Sequence, residues 1–139
     1  MTGMTTESSA RKQGVVAVLG NSLSQLLFIR RGLKIQRAPG FWCFVGGEVE
    51  AGETHEAAIV REVLEEVGLD VAVLEKIHET LSPNGEFALH WMRVSLLTEG
   101  QNQRLHPIEV AEARWLSAGE ALKLEPLLPS LKSWLEATS

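Results

Sequence analysis

Hydrophobic residues recur along this chain with two different spacings, one typical of strands and one typical of a helix. Three short apolar, β-branched runs predict strands over 14–19, 26–30 and 42–45, the first two joined by turn residues as a hairpin. From Thr54 to Gly68 the apolar positions instead fall three and four residues apart, which predicts an amphipathic helix. Thr54 suits the N-cap of this helix, and Gly68 suits the position just after its last turn.

The predicted helix has two chemically opposite faces. One half is apolar and is expected to pack into the core: Ile59, Val60, Val63, Leu64 and Val67. The other half carries three carboxylates, Glu62, Glu65 and Glu66. Each pair repels by roughly 1 kcal/mol in water and by ~4 kcal/mol at an effective dielectric of 20. A solvated helix face is the simpler interpretation, but a cluster held against a loop requires a counter-ion, and ligands that are all oxygen favour Mg²⁺ or Mn²⁺.

After the helix, the pattern predicts a hairpin, a further strand and two helices. The strands cover 71–80, 87–97 and 113–116, and the helices cover 118–124 and 128–137. The strand over 87–97 has apolar residues on both alternating faces, as expected for a sheet that is covered on both sides. We therefore predict an α/β domain, a three-layer α/β/α sandwich with a mixed central sheet.

Composition narrows the class of protein. With 139 residues, of which 45% are hydrophobic, one domain over 13–139 is expected, preceded by a disordered or expression-derived tail over 1–12. Acidic residues outnumber basic ones by 18 to 13, which argues against a nucleic-acid partner. The single cysteine, Cys43, excludes an intramolecular disulfide, and no apolar run suits a membrane span or a secretory signal. These features predict a cytoplasmic protein without a membrane partner.

One motif connects the glycines before the helix with its glutamates. Counting from Gly47, the chain reads Gly, five residues, Glu53, seven residues, and then Arg-Glu-Val-Leu-Glu-Glu-Val-Gly-Leu over 61–69. This matches the pattern G-x5-E-x7-R-E-U-x-E-E-x-G-U, where U is aliphatic, and so resembles the box of the Nudix hydrolase family. Seven fixed identities at roughly 7% each would match by chance in about one chain per million. The resemblance implies the Nudix fold and hydrolysis of a nucleoside diphosphate linked to another group.

The resemblance also implies metal ligands within the box. Glu65 and Glu66 would bind a divalent cation directly. Glu62 would bind it through water or act as the base that takes the proton of the attacking water. The residue equivalent to Gly46 contributes its carbonyl oxygen in the family. Mg²⁺ is the expected cofactor, and Mn²⁺ is the alternative.

Further residues are expected to support these ligands. Arg61 cannot act as a base, and we expect it to bridge to Glu53 and so fix the loop against the helix. Many family members add an acid from a loop before the last strand. Glu109 is the first candidate for this role and Glu112 the second, and an exposed loop glutamate is the simpler interpretation of either.

The loop before the box carries the densest positive patch of the chain: Arg30, Arg31, Lys34 and Arg37. As a group these cations are candidates for holding the substrate phosphates, and solubilising loop charge is the alternative. Trp42 and Phe44 are candidates for stacking on a base, although such aromatic residues more often belong to the core.

The sequence therefore predicts a Mg²⁺-dependent pyrophosphohydrolase that cleaves a nucleoside triphosphate or a nucleoside diphosphate derivative with metal-activated water. An ADP-ribose or nucleotide-sugar pyrophosphatase is the alternative. Pro83 lies near the spacing that accompanies ADP-ribose hydrolysis in the family, but a turn explains it equally well. A non-catalytic nucleotide-binding sensor would usually have lost glutamates, and an isopentenyl diphosphate isomerase would need a catalytic cysteine. The expected partner is a small nucleotide, and a homodimer is possible.

Overall fold

The computed structural model describes residues 11–138, so most of the predicted tail over 1–12 lies outside the described residues. Lys12, which the prediction assigned to the tail, belongs to the first strand. The described strands are β1 (Lys12–Gly20), β2 (Leu26–Arg31), β3 (Trp42–Cys43), β4 (Val45–Glu48), β5 (Val71–Leu81), β6 (Phe87–Leu96) and β7 (Val110–Leu116). The described helices are α1 (His55–Val67), α2 (Ala118–Ala121) and α3 (Pro129–Thr138).

The strands form one mixed sheet. Along its main path the order is β3-β2-β1-β6-β5, while β4 also pairs with β1 and β7 also pairs with β2. The β1–β6 pair is parallel, whereas the other pairs are antiparallel. In this register Val15 of β1 lies between Gly47 of β4 and His90 of β6. Strand β1 is therefore the centre of the sheet. Its pairing with β4 positions the segment that leads into α1.

Both faces of the sheet are covered, and the alternation of side chains explains how. Val15, Ala17 and Leu19 of β1 join the apolar cluster that includes α1. Val18 belongs to the other cluster, which includes Leu131 of α3. Alternate residues of one strand thus supply two separate core layers, because successive side chains point to opposite faces. The predicted α/β fold with a mixed central sheet is confirmed.

Helix α1 begins and ends where its sequence predicts. The Thr54 side chain accepts a hydrogen bond from the Ala57 amide, and Gly68 adopts a left-handed φ of 71° while its amide bonds to the Leu64 carbonyl. The left-handed region is accessible to glycine at little cost, which explains why the helix stops there.

The buried face of α1 differs from the predicted one. Val60 and Leu64 were expected in the core but are 39% and 48% exposed. Ala58 and Glu66 are buried instead, beside Ile59, Val63 and Val67. A helix lying on a sheet buries only one stripe of its surface. Here that stripe is turned towards the glutamates, so the prediction is wrong for Val60 and Leu64.

Other boundaries shift by a few residues. The strand predicted over 42–45 is interrupted at Phe44 and forms β3 and β4, and the strand predicted from residue 113 begins at Val110. Helix α2 is shorter than predicted, although Ser117 caps it with a complete capping box. None of the helices in the described part of the chain is long and apolar enough to span a membrane.

Candidate functional site

The two glycines before the box are required for different reasons. A Cβ added to Gly46 would lie 2.4 Å from the main-chain carbonyl oxygen of Val15. A Cβ added to Gly47 would lie 2.2 Å from Oε2 of Glu62. Gly46 therefore allows β4 to pair closely with β1, and Gly47 leaves the space that the Glu62 carboxylate fills.

Arg61 is the centre of the charged network on α1. Its Nε and Nη2 atoms donate to the two carboxylate oxygens of Glu53 at 2.7 and 2.9 Å, so the predicted bridge is present. Its Nη1 atom also donates to Glu62 at 3.0 Å and to Glu65 at 3.3 Å, and Nη2 donates to the Glu48 carbonyl at 3.0 Å. The hydrogen bonds from Arg61 lower the pKa of Glu53 to about 2. Arg61 thus fixes the loop before α1 and supplies counter-charge to the glutamates.

Glu62 and Glu66 form a carboxyl pair one helical turn apart, in which Glu66 is buried and the Glu62 side chain is 12% exposed. The Glu66 residue is only 7% exposed, and burial raises its pKa first, followed by its contact with Glu62. Burial is also the main cause that raises the pKa of Glu62, and the two carboxyl groups share a hydrogen bond. Burial and their mutual contact therefore disfavour negative charge on both carboxyl groups at once, and a bound cation would offset that cost.

The donor set fits a hard divalent cation. Glu62 and Glu66 offer only oxygen atoms, and so does Glu65 beside them, whose side chain is 55% exposed. Within residues 11–138, no three His, Cys, Asp or Glu side chains already converge as a metal cluster, and Glu62 and Glu65 are instead held by Arg61. The carbonyl of Gly46 lies on the adjoining strand β4.

The structure separates the two candidates for a further acid. Glu109 is exposed at the start of β7 and close enough to Glu66 to raise its pKa. Glu112 instead pairs with Arg114 at 2.6 Å on the surface of β7. The Arg114 guanidinium in turn lies over the ring of Trp42, 5.1 Å from its centroid. Of the two candidates, Glu109 is therefore the one whose charge reaches Glu66.

The four predicted cations do not form one patch. Only Arg31 lies beside the glutamates, where its charge lowers the pKa of Glu66. Its side chain also bonds to the buried Cys43 thiol, and its Nε donates to the Arg37 carbonyl at 2.9 Å. Arg30 uses its Nε to hold the Gly40 carbonyl. These two side chains therefore anchor the loop over 32–41.

Arg37 and Lys34 are directed elsewhere. The Arg37 side chain pairs with Glu86 at 3.1 Å and lies 4.7 Å over the Phe87 ring. This contact connects the loop to the hairpin between β5 and β6, away from α1. Lys34 is exposed on the loop. The prediction of a single phosphate patch is therefore wrong in its geometry, because the loop folds back on itself.

The predicted stacking residues lie in the core. Trp42 and Phe44 are only 4% and 5% exposed. Phe44 stacks on Phe28 at 5.0 Å between ring centroids and contacts Trp91 edge to face at 6.0 Å. Neither ring presents a face to a base, so the structure contradicts base stacking by Trp42 and Phe44 and places both in the second apolar cluster.

One segment beside the site was not predicted from the sequence. The amides of Arg104 and His106 donate to the carbonyls of Val67 and Glu66 at 2.8 and 2.9 Å, so this loop caps the end of α1. The last carbonyls of any helix lack partners within the helix. These unpaired carbonyls indicate that some other segment must donate hydrogen bonds to the end of α1. The sequence does not show which loop does so.

The fold and the site together define the class of protein. A mixed sheet carries a capped acidic helix behind two glycines, and Arg61 bridges the loop before this helix to Glu62. The family model of the NUDIX domain matches residues 10–137. The chain belongs to this family and is a hydrolase of phosphorus-containing acid anhydrides. Proteins of the family generally use divalent metal ions and act on small nucleotides.

Individual relatives agree with this assignment. The chain is 34% identical over 99 residues to a Mycobacterium tuberculosis H37Rv protein provisionally named 8-oxo-dGTP diphosphatase 2, covering 69% of this chain and 67% of the relative. It is 32% identical over 125 residues to the CTP pyrophosphohydrolase of Escherichia coli K12, covering 88% of each. The crystal structure of the MutT protein from Methanosarcina mazei Go1 superposes with a TM-score of 0.78, covering 91% of each chain at 22% identity, which supports the fold.

Proposed function

We propose that this protein is a Mg²⁺-dependent pyrophosphohydrolase that cleaves the phosphoanhydride of a nucleoside triphosphate or a nucleoside diphosphate derivative. The observation that carries the proposal is the Glu62–Glu66 pair on α1, with Glu65 held next to it by Arg61 and Glu109 near enough to raise the pKa of Glu66. Such a group of oxygen donors suits Mg²⁺, and Mn²⁺ is a chemically similar substitute. The carbonyl of Gly46 completes the proposed ligand set.

Each residue of the network has a defined task in this mechanism. Glu62, Glu65, Glu66 and Glu109 would hold the divalent cation, which would neutralise phosphate charge and lower the pKa of a coordinated water. Glu62 takes the proton of the attacking water. Arg61 holds Glu62 through Nη1 and is itself held by Glu53, so these two residues position the base. Arg31, beside Glu66, supplies a fixed positive charge for the substrate phosphates.

The triphosphate is the preferred substrate class. The two relatives above are named for 8-oxo-dGTP and for CTP, which differ in the base but share the triphosphate. The pointer to ADP-ribose was Pro83, but a turn accounts for it: the Gly85 amide bonds to the Ser82 carbonyl at 2.8 Å, and Gly85 has a φ of 73°. Hydrolysis of ADP-ribose or of a nucleotide sugar remains the second candidate.

A substrate panel with matched variants tests the proposal. Turnover of GTP, dCTP, 8-oxo-dGTP, ADP-ribose and GDP-mannose is measured with Mg²⁺ and after chelation. Glu62→Gln and Glu65→Gln should lower turnover by roughly two to three orders of magnitude, because each loses a group that acts on the reacting water or its cation. Glu112→Gln is the control, since Glu112 pairs with Arg114 on the surface. Near-normal turnover in both site variants contradicts the mechanism.

Binding without turnover distinguishes the remaining class. A non-catalytic sensor would bind a nucleotide of this panel and release no phosphate product. All the glutamates of the box are present in this chain, which favours catalysis. The predicted cytoplasmic location, the absence of nucleic-acid and membrane partners and the possible homodimer stay predictions.

A further inference from the structure

The turn that carries Glu109 is organised by the side chain of His106. The Nδ1 atom of His106 accepts hydrogen bonds from the amides of Ile108 at 3.2 Å and Glu109 at 3.1 Å. The His106 carbonyl also accepts from the Val110 amide at 3.2 Å. An imidazole nitrogen that accepts hydrogen bonds carries no proton, so the ring proton of neutral His106 lies on Nε2.

The main chain of His106 also bonds to the end of α1. Its amide donates to the Glu66 carbonyl at 2.9 Å, at the end of α1. The same residue therefore bonds to Glu66 with its backbone and to Glu109 with its ring. These are the two acids that the fold brings together from distant parts of the chain.

Gly32 limits where this turn can lie. Its amide donates to the Glu109 carbonyl at 2.9 Å, and a Cβ at Gly32 would lie 1.8 Å from the Ile108 carbonyl oxygen. Gly32, directly after β2, thus holds the Glu109 carbonyl of this turn in place. The amide side is fixed by the His106 ring, and removing the ring would leave the Ile108 and Glu109 amides without this acceptor.

We propose that His106 is a positioning residue of the metal site: its ring sets the turn that presents Glu109 beside Glu66. The inference rests on the proposed function, in which Glu109 is a metal ligand. Groups that orient metal ligands typically change affinity by 10- to 100-fold when they are removed. The ring acts through the Glu109 amide, so its effect should depend on the Glu109 carboxylate.

Asparagine should replace this ring, whereas leucine should not. The Oδ1 atom of asparagine lies the same number of bonds from the backbone as Nδ1 of histidine, and asparagine side chains commonly accept from amides two and three residues further on. Leucine has a similar size but offers no acceptor. If the ring only filled space, the asparagine and leucine variants should weaken Mn²⁺ binding to the same extent.

The test measures Mn²⁺ binding to the full chain at pH 8 by titration calorimetry. Glu109→Gln should weaken binding by at least about tenfold, and His106→Leu should weaken it by about tenfold. His106→Asn should restore binding to within about twofold of the unchanged protein. The double variant His106→Leu/Glu109→Gln should bind no more weakly than Glu109→Gln alone, because both changes remove the same contribution. Melting curves without metal show whether each variant is folded.

Several results would overturn the inference. If Glu109→Gln weakens binding but His106→Leu does not, the histidine does not position the ligand. Additive losses in the double variant, or an asparagine variant as weak as the leucine one, also contradict it. Wild-type affinity in Glu109→Gln would instead remove Glu109 from the proposed site, and the inference with it. Independently of any variant, ¹⁵N NMR of the unchanged protein should show an unprotonated Nδ1 at His106, and a protonated Nδ1 refutes the geometry.

Discussion

Replacing Gly47 by alanine should separate catalysis from folding. The added Cβ would lie 2.2 Å from Oε2 of Glu62, whereas an ordinary carbon–oxygen contact is about 3.3 Å. The carboxylate must therefore retreat by roughly 1 Å, and a misplacement of this size costs about 100-fold in rate. That loss corresponds to about 2.7 kcal/mol in the barrier. The fold should survive, because the atom that moves is the end of a flexible side chain.

Two other glycines provide matched controls for the same added methyl group. Gly46→Ala directs its Cβ at the Val15 carbonyl, 2.4 Å away in the sheet ladder, and should lower the free energy of unfolding by about 1–3 kcal/mol. Gly119→Ala adds its Cβ where no atom lies within 4 Å and should leave turnover unchanged. The assay is steady-state turnover of the best substrate, paired with urea unfolding of each variant.

Specific results would contradict this reasoning on Gly47. If Gly47→Ala keeps more than about a third of the original turnover, the Glu62 carboxylate does not act from the position that Gly47 leaves open. If Gly47→Ala and Gly46→Ala lose the same stability, the distinction between a side-chain and a main-chain clash is wrong. A loss of turnover in Gly119→Ala would show that the assay reports on something other than the site.

Three further predictions follow from single contacts. Arg61 holds the pKa of Glu53 at about 2, below its ordinary value of 4.5, so this carboxylate stabilises the fold above pH 4.5 and the contribution is lost as the pH falls towards 2. The urea midpoints of the unchanged protein and of Glu53→Gln should therefore converge over that range, and a constant difference contradicts the bridge. Burial raises the pKa of Cys43 to about 11, so at pH 8 the native thiol should not react with dithiobis(nitrobenzoate) although the unfolded chain does; rapid labelling of native protein refutes this. Thr54→Ala should lower the free energy of unfolding by about 1 kcal/mol because the Ala57 amide loses its acceptor, while Thr54→Ser should not, and equal losses in urea unfolding would exclude a capping role.

The sequence predicted the features that depend on neighbouring residues. The ends of α1 followed from Thr54 and Gly68, because capping involves only residues within one helical turn. The hairpin turn before β6 followed from its turn residues for the same reason. The bridge between Arg61 and Glu53 was also predictable, since the motif fixes both on the same helix and its leading loop.

Features that depend on packing were predicted less well. The composition of α1 suggested that Val60 and Leu64 would be buried, but the sheet contacts a stripe that includes Glu66 instead. The aromatic residues Trp42 and Phe44 were candidates for the site and belong to the core. Hydrophobic spacing defines which residues share a helix face, but it does not define how far the helix is rotated about its axis on the sheet.

By itself, the sequence determined the class of fold, the acidic helix and the glycines before it, because each of these is encoded over a few adjacent positions. Only the tertiary structure decided that Arg31 and Glu109 lie near enough to Glu66 to shift its pKa, and that His106 bonds to the main chain of both glutamates. These residues come from three separate segments, and their contacts depend on strand register and on the folding of two loops. No local spacing fixes those distances, because they arise only when α1 packs on the sheet and the loop before β7 closes over its end.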